Sequence, residues 1–226
     1  MPKRYFVTGT DTEIGKTTIA CGLLKAVART GLTTAAAKPV AAGCERTADG
    51  LRNEDGLALQ AQCNPPLAYE LINPVTLEAA IAPHIAASEE GADLNVACLA
   101  QGCRTVFDQQ AAFTLVEGAG GWRVPLNAEQ SLADLARELD LPVIMIVGMR
   151  LGCINHAILT AEAIAADGLQ LAGWVANQVD QHMSRPQENL ETLKQVIKAP
   201  FLGFVPWLEE TSADAIADRL DIEPLV

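Results

Sequence analysis

The stretch "RYFVTGTDTEIGKTTIACGLLKAVAR", residues 4–29, constrains the fold most. An apolar strand ends in a glycine-bearing loop, and the loop opens directly into a helix with apolar residues at Ile19, Leu23, Leu24 and Val27. Gly31 stops that helix. The pattern then repeats. "TTAAAKPV", "AFTLVEG", "LPVIMIVG", "LAGWVANQV" and "PFLGFVP" read as buried strands, and residues 54–62, 93–108, 153–166, 187–197 and 212–220 read as the helices among them. Strands alternating with helices build βαβ units, so the expected fold is α/β: a three-layer sandwich with a mostly parallel sheet and helices on both faces. It is expected to form one domain over residues 1–226. The stretch from Asn64 to Pro83 holds four prolines and no clear period, and reads as irregular chain suited to substrate contacts.

Composition agrees with that class. Half of the residues are apolar and only 4% are aromatic, which suits helices packed closely on a parallel sheet. The net charge of −12 repels nucleic acid and anionic lipid, though a local cationic pocket can still take an anion. Cys21, Cys44, Cys63, Cys98, Cys103 and Cys153 form no CxxC pair and read as scattered reduced thiols. No apolar run reaches eighteen residues, and the first strand begins without a cleavable leader, so a cytoplasmic protein is expected.

"TGTDTEIGKTT", Thr8 to Thr18, nearly matches the phosphate-binding pattern Gly-x4-Gly-Lys-Ser/Thr. The first glycine sits at Gly9, where the pattern asks for one at Thr10. The context is the required one. A loop between strand and helix turns backbone N–H groups toward a phosphate, and the helix N-terminus adds positive potential. Gly15 permits close backbone approach, Lys16 reaches β/γ oxygens, and the Thr17 hydroxyl suits Mg²⁺. The expected fold is therefore of P-loop NTPase type. Partition and septum-site ATPases carry a signature lysine four residues before the second glycine; here that position is Asp11.

Gly9 to Thr17, Lys38, Glu117, Gly152 to Asn155, Asn177 and Pro206 all lie at or just beyond the carboxyl ends of strands, where ligands sit on such sheets. Glu117 ends "FTLVEG", where a metal-binding acid is expected, and three of the next four residues are glycine. Asp55, in "LRNEDG", reads equally as a second metal ligand or as an acid stabilising a helix N-terminus. Lys38 leaves an otherwise apolar strand before Pro39. It is either a lysine reaching to solvent or a second cation for a transferring phosphoryl group. His84 and His156 read as helix-start polar residues without a nucleophile partner, and Trp122, Trp174 and Trp207 as packing residues, with Trp207 bordering a base.

Beyond the loop, "KPVAAG", "GLRNEDGLALQ", "NPVTLEAAIAPHIAA", "VEGAGGW", "LGCINHAILTAEAI", "GWVANQV" and "PWLEE" follow in order across nearly the whole chain. Together they resemble the dethiobiotin synthetase family. The resemblance implies an enzyme that uses MgATP to carboxylate 7,8-diaminopelargonate with CO₂ and close a ureido ring. It implies that Glu13, Ile14, Gly15, Lys16, Thr17 and Thr18 hold the ATP phosphates. Thr17, Asp55 and Glu117 would bind Mg²⁺. Lys38 and Lys16 would act on the reacting groups with Thr12 beside them, and Gly118, Ala119 and Gly120 would line the site. Asn177 and Gln178 would meet the adenine, with Pro206, Trp207 and Leu208 around it. Gly152, Cys153, Ile154 and Asn155 would bind the substrate's tail carboxylate across a homodimer interface.

The chain departs from the family pattern at Ala42, where a serine or threonine usually touches the substrate, in "LEAAIAPH", and at Phe204, where an acid is common. Two other readings compete. A cobyrinate-type amide ligase needs a glutaminase domain, for which 226 residues leave no room, and a partner-binding switch lacks its lysine at Asp11.

Overall fold

The computed structural model describes all 226 residues. In chain order the elements are β1 (Lys3–Gly9), α1 (Lys16–Arg29), β2 (Thr34–Ala37), β3 (Val40–Ala42), β4 (Glu45–Thr47), β5 (Gly50–Arg52), α2 (Glu54–Gln60), α3 (Tyr69–Ile72), β6 (Val75–Leu77), α4 (Pro83–Glu90), α5 (Val96–Phe107), β7 (Phe113–Gly121), α6 (Leu132–Glu138), β8 (Val143–Met149), α7 (Cys153–Ala166), β9 (Leu171–Gln178), α8 (Pro186–Val196), β10 (Phe201–Val205) and α9 (Ala213–Ala217). A 3₁₀ turn, Glu223–Leu225, closes the chain.

Six strands form one sheet in the order β10-β9-β8-β1-β7-β2, and each neighbouring pair is parallel. Alternate residues of each strand enter different cores. Val7, Leu115, Ile144 and Ile146 join α1 and α9 in one, while Phe6, Val116, Val143 and Met145 join α5, α6 and α7 in the other. Because both faces are covered, β8 is buried along its whole length, which explains its unbroken apolar sequence. The phosphate loop leaves β1 in the middle of this sheet, with a strand on either side to support it.

The expected strand "TTAAAKPV" divides in two. β2 stays in the main sheet, and β3 pairs with β6 in a separate two-stranded sheet. Pro39 has no N–H for a ladder, and Lys38 N–H donates instead to Ile72 O at 2.7 Å. The break leaves Lys38 at the turn between two sheets. The proline-rich stretch is more ordered than expected, since it contains α3 and β6 and ends in α4, which opens at Pro83. α6 was not anticipated in the sequence reading. Its capping box, with Ser131 N–H donating to Asp134 Oδ2 at 2.8 Å, is the local signal. The last helix is shorter than expected, because α9 ends at Ala217. All six cysteines are free thiols, and only Cys98 is exposed.

Candidate active site

Gly15 and Glu13 both take left-handed backbone, at φ 77° and 56°. A Cβ on Gly15 would lie 2.4 Å from Asn177 Nδ2, so two requirements exclude a side chain there: the backbone angle and the approach of β9. Asn177 reinforces the loop by donating from Nδ2 to Ile14 O at 2.8 Å. Lys16 is buried and its Nζ donates to Asp11 O at 3.1 Å. Burial pulls the Lys16 ammonium down to about 8, and the negative field of Glu117 offsets this only in part.

Around the loop, four side chains meet, from α1, the turn after β2, α2 and β7. Lys38 is 3% exposed and Glu117 is 0% exposed. Lys38 Nζ donates to Glu117 Oε1 at 2.6 Å, to Asp55 Oδ2 at 2.7 Å and to Gly118 O at 3.4 Å. Thr17 Oγ1 donates to the same Glu117 Oε1 at 2.7 Å. Burial works against the charge on Lys38, but Glu117 and Asp55 outweigh it and hold the ammonium above its ordinary value. Burial likewise opposes the charge on Asp55, and Lys38 overcomes that and keeps the carboxyl below its ordinary range. Lys38 does not reach to solvent; it is the buried cation of the cluster. Glu117 Oε2 is buried with no partner.

Beside this cluster lies a cleft of about 430 Å³, floored by Thr17, Thr18 and Cys21 of α1 and walled by Asp55 and Ala58 of α2 and by Ser212. A second cleft of about 420 Å³ carries Asp134, Glu138, Asp140 and Asp167, an acidic lining unsuited to phosphate. Asp11 pairs with Arg150, which ties the phosphate loop to the turn before α7. The sequence reading did not include Arg150.

The remaining expected residues fall into three groups. Thr12 is exposed and borders Gly120: a Cβ built on that glycine would lie 3.3 Å from Thr12 Oγ1. Gly118 is buried, and Ala119 and Gly120 are half-buried along the end of β7. Gln178 turns to Asp180 O at 3.1 Å, Pro206 is half-buried, Trp207 is exposed, and Leu208 packs on the α1-side core. Gly152 caps α7 with φ 96°, Cys153 is buried, Ile154 is half-buried, and Asn155 is exposed. Ala42 O accepts from Asn53 Nδ2 at 3.3 Å. Missing from the sequence reading were Asn53, Tyr69 and Asn73, which lie behind the cluster. The last two sit in the proline-rich stretch, whose lack of period hid them.

The family model described as an AAA domain matches residues 3–215. The ATP-dependent dethiobiotin synthetase BioD of Pseudomonas aeruginosa (strain UCBPP-PA14) is 62% identical over 221 residues, covering 98% of this chain and 97% of that one. The chain belongs to the ATP-dependent dethiobiotin synthetase family. Family members of the same name from Cellvibrio japonicus (strain Ueda107) and, as BioD 1, from Salmonella typhi are 59% and 50% identical. They match 99% and 100% of this chain, and 98% and 99% of their own lengths. The chain also shares its fold with a ParA family ATPase from Chlorobium tepidum (TM-score 0.56, 12% identity, 92% of this chain and 85% of that one). A chain of the Aquifex aeolicus MinC:MinD cell division protein complex is similar (TM-score 0.55, 14% identity, 96% and 86%). These likenesses carry the P-loop NTPase fold. No helix is long and apolar enough to cross a membrane.

Proposed function

We propose that this chain is an ATP-dependent dethiobiotin synthetase, acting as one catalytic domain over residues 1–226. Its reaction joins CO₂ to 7,8-diaminopelargonate and closes the ureido ring. The observation that carries the reading is the buried Lys38 ammonium, held by Asp55 and Glu117 beside the phosphate loop, in a chain 62% identical to relatives of that name.

The donor set suits Mg²⁺. Asp55 Oδ2 and Glu117 Oε1 are hard oxygens already gathered around the Lys38 ammonium, Thr17 Oγ1 lies 2.7 Å from the same Glu117 oxygen, and Glu117 Oε2 is unpartnered. These three side chains would hold Mg²⁺, which when bound with ATP neutralises charge on the β- and γ-phosphate oxygens.

One amine of the substrate adds to CO₂ and gives a carbamate, losing a proton. The carbamate oxygen attacks the γ-phosphorus and ADP leaves, forming a carbamic–phosphoric anhydride. The second amine then attacks the carbonyl carbon and loses a proton, the C–O bond to phosphate breaks, and hydrogen phosphate leaves as the ring closes. None of these steps needs a protein nucleophile. Lys16 and Lys38 supply fixed positive charge where anionic oxygens gather. The loop N–H groups from Glu13 to Thr18 orient the phosphates, with Thr12 and Gly118 to Gly120 beside the reacting groups. Asn177, Gln178 and Pro206 to Leu208 would surround the base. Asn177 offers its Oδ1 and the second Nδ2 proton, since the bond to Ile14 O uses only one.

The turn at Gly152 to Asn155 would take the tail carboxylate in a homodimer. Leu151, 94% exposed, and Leu159, 56% exposed, support an apolar contact there. Work in the cytoplasm fits the free thiols. The test supplies purified protein with the diamine, bicarbonate, Mg²⁺ and ATP. ADP release that depends on the diamine, with dethiobiotin identified by mass, is expected; ADP release indifferent to the diamine overturns the reading.

A further inference from the structure

Behind the Lys38–Asp55 pair the hydrogen bonds close into a ring. Lys38 Nζ donates to Asp55 Oδ2 at 2.7 Å. Asp55 N–H donates to Asn53 Oδ1 at 3.0 Å, and Asn53 N–H donates to Tyr69 Oη at 2.8 Å. The Tyr69 hydroxyl donates to Asn73 Oδ1 at 2.8 Å. Asn73 Nδ2 returns to Lys38 O at 2.7 Å, with Val75 O at 3.2 Å as its second acceptor. Both ends of the ring belong to Lys38, one at its main chain and one at its ammonium.

Four of the five ring members are buried, and the fifth, Asp55, is half-buried where it faces the cleft. Lys38, Tyr69, Asn73 and Asn53 are 3%, 4%, 2% and 7% exposed. Every polar atom that closes it has a partner of the opposite kind, so the amide orientations of Asn53 and Asn73 follow from the chemistry. Two neighbours hold the phenol in place. The Arg52 guanidinium lies 4.3 Å over its ring centroid, and a Cβ on Gly56 would come within 3.0 Å of the ring. Tyr69 therefore joins the turn after β2, which carries Lys38, to the first turn of α2, which carries Asp55.

We propose that Tyr69 and Asn73 are positioning residues, which set the spacing between the Lys38 ammonium and the Asp55 carboxylate through this closed hydrogen-bond ring; the inference rests on the ligase reading above. A lysine side chain has four rotatable bonds, and cations that act by position lose effect with small displacement. The ring removes that freedom by fixing the Lys38 main chain against the segment that presents its partner. Neither Tyr69 nor Asn73 lies within hydrogen-bond reach of the loop, so their effect passes through Lys38 and Asp55.

Tyr69→Phe removes one hydroxyl at nearly constant volume. It leaves Asn53 N–H and Asn73 Oδ1 buried without partners, and kcat is expected to fall about tenfold. Mn²⁺ binding, read by electron paramagnetic resonance in the presence of β,γ-methylene ATP, is expected to weaken severalfold as Asp55 loses its place. Leu99→Ala, in α5 beside α3, lowers melting temperature without touching the ring, and is expected to keep both kcat and Mn²⁺ affinity. Asn73→Ala opens the ring on the other side of Tyr69 and should reproduce the Tyr69→Phe losses. The proposal fails if Tyr69→Phe matches the wild type in both readouts, or if Leu99→Ala falls as far. It fails too if Tyr69→Phe and Asn73→Ala both lose cooperative melting, since the ring would then serve folding alone. A wild type without diamine-dependent ADP release sinks the ligase reading, and the Mn²⁺ comparison still decides the ring.

Discussion

Lys38 Nζ sits 2.6 Å from Glu117 Oε1, and neither side chain is more than 3% exposed. The two residues are 79 apart in sequence; Glu117 lies on β7 and Lys38 in the turn directly after β2, the strand that pairs with β7 in parallel. An ion pair so far from water persists only when both charges are compensated. Glu117 meets this with Lys38 and the Thr17 hydroxyl, and Lys38 meets it with Glu117, Asp55 and a carbonyl.

Lys38→Met removes the buried cation while keeping an unbranched stem. Loss of one preorganised electrostatic group is expected to lower kcat by about 10²–10³. Glu117 then lies buried without its cation, which costs about 3–5 kcal/mol if it stays ionised. Steady-state ADP release and thermal melting read the two effects. A variant with wild-type kcat refutes the role of Lys38.

Gly15→Ala forces a side chain into left-handed backbone and against the Asn177 amide. The loop must open, and the Asn177 bond to Ile14 O must break. Strain of about 1–3 kcal/mol is expected, and ATP affinity should fall about tenfold or more. Calorimetric titration with ATP measures it. Unchanged affinity would show that the loop tolerates the Cβ.

Ala42→Ser restores the hydroxyl that the family usually carries. One added hydrogen bond is worth about 0.5–1.5 kcal/mol, so KM for the diamine should drop about two- to tenfold with kcat little changed. An unmoved KM means that residue 42 does not face the substrate.

Burial pulls the Lys16 ammonium down to about 8 in the folded protein, from an ordinary value of 10.5. Between those values the unfolded chain holds more protons, so this group's contribution to stability rises with pH across that window. Below it, the cost of burying the ammonium is borne in full. Phosphate binding reverses the preference by drawing the proton back. Nucleotide binding near pH 8 should take up protons, seen as a calorimetric heat that varies with buffer ionisation enthalpy, and affinity should decline as pH rises further. A heat independent of buffer refutes this.

Leu151→Asp puts a charge at the exposed turn before α7. If that turn is a dimer contact, sedimentation should shift toward monomer, and KM for the diamine should rise with it. A wild type already monomeric at assay concentration removes the interface from the mechanism.

The sequence by itself determined what short-range physics controls. The alternation of strands and helices, the glycine-bearing phosphate loop, the helix ends and the strand-end acids all follow from residues within a few positions of one another, and β1, α1, β8 and α7 lie where the periodicity puts them. It left Asp55 balanced between helix-terminal acid and metal ligand, because both roles produce the same local pattern. Tertiary structure decided what needed distant partners. Lys38 meets Glu117 only because β2 lies beside β7, and Asp55 joins them only because α2 packs next to that strand. The interruption at Lys38 and Pro39 also depended on Ile72 O being present to accept the Lys38 N–H. Tyr69 and Asn73 were beyond reach for the same reason. Their stretch has no periodicity to read, and their partners at Asn53 and Lys38 lie 16 and 35 residues away. Periodicity records which face of an element is buried, but the polar atoms that meet behind a site are set by strand order and crossing, which no local pattern encodes.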